Sequence, residues 1–200
     1  MNWEKGEHIF VCGQTGTGKS YGLIQLIQTK IKSNYVIIDT KQEDFNKLGC
    51  KVVHTLKAFK LALLDGQKKI LVQEKTMDFE KLEKYSKFLN DNFINFTLII
   101  DELHNYLSKS KIQPSLKNIM LQGRSKGKTF IGATQRTQNI HNDVLSQCIH
   151  KFSFYLGIKN DRVKMCEEMD LREEDFKNLN QYEFFYLYCK GFNKTIKSKF

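Results

Sequence analysis

The sequence is poor in proline, tryptophan and arginine. Pro114 is its one proline, there is one tryptophan, and only four of the 32 Lys and Arg residues are arginine: Arg124, Arg136, Arg162 and Arg172. No Pro/Gly-rich linker, low-complexity tract or internal repeat divides the 200 residues, so they read as one domain spanning 1–200, large enough to bury a core without a staple. The five cysteines, Cys12, Cys50, Cys148, Cys166 and Cys189, are odd in number, scattered and without a C-x-x-C pair. That argues against a disulfide framework and for reduced thiols in an intracellular compartment. His8, His54, His104, His141 and His150 show no metal-ligand spacing, so no structural metal is expected. Apolar runs are only strand-length, which excludes an integral membrane segment, and the polar start Met1 to Glu7 does not read as a secretory signal.

Positive charge is abundant. The formal net charge is +10 and the pI about 9.3, a balance that favours polyanionic partners such as nucleic acid. Strand-like runs alternate with amphipathic stretches along the chain. The strands read as 8–12, 35–39, 51–55, 68–73, 96–101, 129–134, 151–158 and 183–192, the last an edge or hairpin partner. Helices read over 56–66, over 79–93 with Asp78 as cap, over 115–125 behind Pro114, over 142–149, and from Asn160 or Asp161. Such alternation predicts an α/β fold: a mostly parallel central sheet with helices on both faces and antiparallel strand at the C-terminal end. Residues 193–200, "NKTIKSKF" from 193, read as a basic tail prone to fraying.

Within that alternation, "GQTGTGKS" (13–20) fills the pattern G-x-x-x-x-G-K-[ST] between a strand and a helix. Gly13, Gly16 and Gly18 let successive N–H groups of Gly13, Gln14, Thr15, Gly16, Thr17 and Gly18 turn into one concavity, and the helix end adds positive potential. Lys19 is expected to reach the β- and γ-phosphates of ATP and the Ser20 hydroxyl to ligate Mg²⁺, with Tyr21 completing the nucleotide contacts. "TLIIDE" sets Asp101 and Glu102 at the carboxyl end of a buried strand. Asp101 is assigned to Mg²⁺ and Glu102 to general-base activation of water, with Asp39 ranked second for the metal. No N-K-x-D guanine signature occurs, so ATP is preferred over GTP. If strand 129–134 lies between the strands bearing the phosphate loop and Asp101, Gln135 emerges beside the γ-phosphate as a polar sensor.

Together "GQTGTGKS", "LIIDE", "QGRSKGKTFIGATQR" and "QYEFFY" resemble the FtsK–HerA superfamily of P-loop ATPases, in particular its viral genome-packaging branch, across about residues 8 to 190. The resemblance implies a RecA-like domain that hydrolyses ATP to translocate double-stranded DNA into a capsid. It also implies a homo-oligomeric ring (pentamer or hexamer), capsid or portal-vertex partners, and a place in the host cytoplasm or at the virion packaging vertex. In that family the arginine before the strand acts across a subunit interface, which makes Arg124 the expected arginine finger. Its planar fork grips two phosphate oxygens and stays charged when desolvated. Arg136 is left between an interface ion pair and a DNA contact, and Arg162 and Arg172, among acids, are expected in helix ion pairs. Candidate DNA contacts are Tyr106, Lys109, Lys111 and Lys117, then Lys126 and Lys128, then the basic tail. A conjugation or export ATPase, and a nucleotide-dependent assembly module that does not translocate, stand as alternatives.

Overall fold

A computed structural model describes residues 4–32, 34–39, 41–42, 45–190 and 194–200. The strands are β1 (His8–Cys12), β2 (Asn34–Ile38), β3 (Lys51–Val53), β4 (Lys69–Val72), β5 (Phe96–Ile100), β6 (Thr129–Thr134), β7 (Cys148–Ser153), β8 (Glu183–Tyr188) and β9 (Ile196–Lys199). The helices are α1 (Lys19–Lys30), α2 (Leu56–Leu64), α3 (Phe79–Asn92), α4 (Pro114–Gln122), α5 (Asn142–Gln147) and α6 (Lys159–Met169).

All nine strands form one sheet in the order β3-β4-β2-β5-β6-β1-β7-β8-β9. Pairing is parallel from β3 through β7 and antiparallel for β7–β8 and β8–β9. The central strands β1, β5 and β6 are buried along their whole length, as expected of parallel strands covered on both faces. The cover is unequal. Side chains of α2, α3, α4, α5 and α6 share one buried cluster. The other face is packed by α1, through Leu23, Ile24, Leu26 and Ile27, and by an aromatic group at the C-terminal end. No helix among the described residues is long and apolar enough to cross a membrane.

Several local expectations meet the structure closely. Pro114 occupies the first turn of α4, where a missing N–H costs nothing. The Asp78 side chain accepts from Lys81 N–H and caps α3. Other segments differ. The helix read to residue 125 stops at Gln122, and Arg124–Lys126 form a single 3-10 turn ended by Gly127 in the left-handed region (φ 66°). The strand expected at 151–158 starts earlier, at Cys148, because β7 pairs with β1 from His8 onward. The last strand ends at Tyr188, and positions 191–192 of the expected 183–192 lie outside the described residues.

The basic tail is the main correction. Instead of fraying, residues 196–199 form β9 against β8, while position 193 lies outside the described residues. Two anchors account for this. Lys197 pairs with Glu183 at 2.8 Å, and the Phe200 ring packs on Phe184 at 4.5 Å between centroids. The charge pattern of the tail is what suggested solvation; the terminal aromatic is what fixes it.

Candidate functional site

Strand register assembles the site. Ile38 pairs with Ile100, so Asp39 and Asp101 leave the sheet side by side. Cys12 pairs with Thr134, so the phosphate loop and Gln135 leave side by side at the same edge. β6 lies between β5 and β1, the order that the expected position of Gln135 requires. All these residues stand at the carboxyl ends of parallel strands, the edge where open α/β sheets bind ligands.

The loop itself is shaped by its glycines at two points. Gly18 adopts φ 105°, a conformation that L side chains rarely take, and a Cβ there would meet the Tyr182 ring at 2.8 Å. Gly16, at φ 80°, has open space around it. Lys19 opens α1 and is buried, with Nζ donating to Asp101 Oδ1 at 2.7 Å and standing 3.6 Å from Glu102 Oε1. Ser20 and Tyr21 line the same cavity, of about 340 Å³, as do Lys41 and Gln135.

Glu102 is the hub. Its own backbone is left-handed (φ 51°), an uncommon conformation for a residue with a Cβ and one often found where side-chain direction matters. Its Oε1 accepts from Gln135 Nε2 at 2.6 Å and from the Lys41 ammonium. Gln135 accepts in turn from the Thr15 hydroxyl at 2.9 Å, so the amide bridges the phosphate loop to the glutamate. Glu102 Oε2 is buried without a hydrogen bond. The His104 ring nitrogen stands 3.4 Å from it but is bonded to Thr134 Oγ1 at 3.0 Å. Burial alone would raise the Glu102 pKa, but the Lys19 charge and the hydrogen bonds from Lys41 and Gln135 outweigh it and hold it below the usual value. Burial lowers the His104 pKa, against the pull of Glu102.

The two aspartates divide cleanly. Asp39 Oδ1 accepts from the backbone N–H of Lys41 and Gln42, both at 3.1 Å, and Oδ2 lies 3.5 Å from Gln73 Nε2. Burial, reinforced by the neighbouring Asp101 charge, raises the Asp39 pKa against those hydrogen bonds. Asp39 thus anchors the turn carrying Lys41. Asp101 and the Ser20 hydroxyl are the hard oxygen donors beside Lys19. With the unpartnered Glu102 Oε2 nearby, this donor set suits an oxygen-seeking ion such as Mg²⁺.

Four expectations concern residues elsewhere. Arg124 lies before β6, at the opposite edge of the sheet, roughly 17 Å of strand away. Its side chain is half exposed and, among the described residues, forms one ion pair, with Glu4 at 3.6 Å. Arg136 stands 3.9 Å from the buried Asp161. Arg162 forms its ion pair outside its own helix, its Nε with Glu173 at 3.8 Å, and its Nη1 also donates to the carbonyls of Leu156 and Gly157 at 2.9 and 2.7 Å. Among the suggested DNA contacts, Tyr106 is buried in the core, and Lys128 is buried with its ammonium on Asn90, at 2.7 Å from the carbonyl and 2.8 Å from Oδ1. Neither can touch a polyanion. Lys109, Lys111 and Lys126 remain exposed.

Sequence reasoning gave no role to three contributors. Lys41 follows β2 with no motif around it. Gln181 donates to the Gly16 carbonyl at 3.1 Å, and Tyr182 N–H donates to the Thr17 carbonyl at 3.0 Å, so the turn before β8 clasps the phosphate loop. The Tyr182 ring meets Tyr21 edge-to-face at 5.1 Å. The stretch "QYEFFY" reads as the start of a strand and as part of the resemblance, but its clasp on the phosphate loop spans the length of the chain and leaves no local signal.

Comparison with known proteins agrees with this geometry. A structure of the genome packaging NTPase B204 from Sulfolobus turreted icosahedral virus 2, in complex with AMPPCP, is similar with a TM-score of 0.77 and 22% identity, covering 98% of this chain and 99% of that one. VirB4 of Thermoanaerobacter pseudethanolicus is similar at a TM-score of 0.71 and 11% identity, over 96% of this chain and 88% of that one. The conjugation coupling protein TcpA of pCW3 follows at 0.64 and 16%, over 98% of this chain and 60% of that one. In sequence, Protein P9 of Pseudoalteromonas phage PM2 is 25% identical over 177 residues, 86% of this chain and 79% of that protein. These likenesses show the fold, that of P-loop NTPases, and the family description that matches, zonular occludens toxin (Zot), spans residues 8–173. The chain therefore belongs to the Zot family.

Proposed function

We propose that this chain is an ATPase that drives double-stranded DNA into a viral capsid as part of a homo-oligomeric ring, each copy a single P-loop domain. The observation that carries the reading is the convergence of Lys19, Asp101, Glu102 and Gln135 beside the phosphate loop, in a fold that matches a viral genome packaging NTPase over nearly the whole of both chains. Backbone N–H groups of the loop and the start of α1 hold the phosphates, and Lys19 turns from Asp101 to the β- and γ-oxygens. Ser20 and Asp101 would hold Mg²⁺, which when bound would neutralise negative charge on the phosphates. Tyr21 and Tyr182 offer an apolar surface to the base at the cavity mouth. Gln135, linked to both Thr15 and Glu102, orients a water that Glu102 deprotonates.

Arg124 cannot serve its own site from the far edge of the sheet. Its exposure suits delivery to a neighbouring copy, with the guanidinium stabilising charge on the transferring phosphoryl group. A net charge of +10 favours a DNA partner, and work at the packaging vertex within the host cytoplasm follows from that role. Similarity to VirB4 and TcpA supports a second reading, a conjugation or export ATPase of the same build. ATP turnover measured against protein concentration, with and without duplex DNA, tests the proposal. A packaging motor gains turnover per subunit as the ring assembles and gains again with duplex. Turnover indifferent to both would leave a nucleotide-dependent assembly module as the better account.

A further inference from the structure

Glu102 Oε1 gathers more donors than one carboxylate oxygen needs. Gln135 Nε2 lies 2.6 Å away, Lys19 Nζ 3.6 Å away, and the Lys41 ammonium donates to it as well. Two cations and an amide thus converge on a point beside the phosphate loop. Lys19 and Gln135 are accounted for by the phosphate-loop motif and by the strand order; Lys41 is not. Its placement is nevertheless built. Asp39, 1% exposed, receives the N–H groups of Lys41 and Gln42. The β2–β5 register fixes Asp39 next to Asp101. The backbone of Lys41 is therefore pinned to the carboxyl edge, while its side chain, 42% exposed, reaches inward to a glutamate that is 2% exposed. Lys41 lines the same cavity as Gly16, Lys19 and Ser20.

We propose that Lys41 is a second cation, supplied by the same chain, for the terminal phosphoryl group of a bound nucleoside triphosphate. A lysine ammonium has three donors on a flexible stem, so it can shift from a carboxylate oxygen to a nearby phosphoryl oxygen without backbone movement. A γ-phosphoryl group carries more negative charge than Glu102 and competes for the same donors. On binding, Lys41 moves to the γ-oxygens alongside Lys19, and Glu102 keeps Gln135 as its partner. A diphosphate ends short of that point and leaves Lys41 on Glu102. Lys41 therefore distinguishes triphosphate from diphosphate, a discrimination a motor needs at every cycle. This inference rests on the nucleotide site proposed above.

Calorimetric titration of AMPPCP and of ADP, each with Mg²⁺, into wild type, Lys41→Met and Lys41→Arg tests it without turnover. Loss of one charge-assisted contact should weaken AMPPCP binding to Lys41→Met by about tenfold while ADP binding stays within about twofold, and Lys41→Arg should recover most of the AMPPCP affinity. A structural role for Lys41 would weaken both ligands equally, and that result, or unchanged AMPPCP affinity, overturns the assignment. Wild type that bound neither nucleotide would bring down the site and Lys41 together. Wild type that bound AMPPCP, with Lys41→Met binding it equally well, would remove Lys41 alone.

Discussion

The two edges of this sheet are built on opposite plans. At the carboxyl edge almost every polar group is committed within the chain: Lys19 to Asp101, Gln135 to Glu102, Thr15 to Gln135, and Asp39 to the turn that follows it. At the amino edge a buried base carries an exposed tip. Glu7 and His150, each 1% exposed, are bonded at 2.9 Å, and His150 is bonded in turn to the Tyr186 hydroxyl. Lys190 closes the group on Glu7 at 2.5 Å. Gly6 follows with φ 83°, and a Cβ there would meet Arg124 Cα at 2.7 Å, so the backbone of Arg124 sits directly on this base. Among the described residues the Arg124 guanidinium keeps one ion pair, with the exposed Glu4 at 3.6 Å. A group mounted firmly yet paired weakly is suited to a target outside its own chain, whereas the carboxyl edge is suited to a ligand that displaces internal partners.

That contrast has consequences that differ in size. The largest concerns Arg124→Ala. If the amino edge serves a neighbour, this change should cut turnover by about 10³- to 10⁵-fold and leave AMPPCP affinity unaltered. A matching loss of affinity would place Arg124 in nucleotide binding and erase the distinction between the edges. Next comes Glu102→Gln, which removes the base but keeps an acceptor for Gln135. Turnover should fall by about 10²- to 10⁴-fold with nucleotide retained, read by single-turnover hydrolysis beside equilibrium binding. Undiminished hydrolysis would move the base to another residue.

The smallest effect is on stability and tests the buried base of the amino edge. Burial alone would raise the Glu7 pKa, but hydrogen bonds from Lys190 and His150 bring it from an ordinary 4.5 to about 2. The unfolded chain therefore takes up this proton first, and the stability Glu7 provides is present above pH 4.5 and lost as pH falls toward 2. Burial likewise lowers the His150 pKa, which adds a loss of the same sign as pH drops through the ordinary histidine range. Glu7→Gln should cost about 1–3 kcal/mol at pH 7 and flatten the acid limb of stability, measured by urea unfolding between pH 7 and pH 3. An unchanged acid limb would mean that the network contributes little.

How much of this was legible in the sequence follows the range of each interaction. The phosphate loop and the strand ending in Asp101 are short, contiguous patterns whose chemistry demands particular residues, and the alternation of apolar runs carried the parallel sheet. The position of Gln135 followed once a strand order was assumed, because period and polarity place it just past β6. Lys41, Gln181 and Tyr182 were not legible as site residues, since each acts through a contact made by folding distant segments together. Lys128 and Tyr106 misled for the opposite reason. Their residue types suggest surface chemistry, yet the Lys128 stem is buried with its ammonium on Asn90, and the Tyr106 ring completes the core under α3 and α4. Phe200 shows the same limit at the chain end, where one aromatic outweighs a run of lysines.

The central claim is that a site built in one copy is completed by Arg124 from the next. Mixing inactive Lys19→Ala and Arg124→Ala proteins tests it directly, since a Lys19→Ala subunit can lend an arginine to an intact phosphate loop. Turnover recovered in the mixture, rising and falling with the ratio of the two proteins, is the predicted result. A mixture as inactive as its components, under conditions where the two proteins co-assemble, would contradict it.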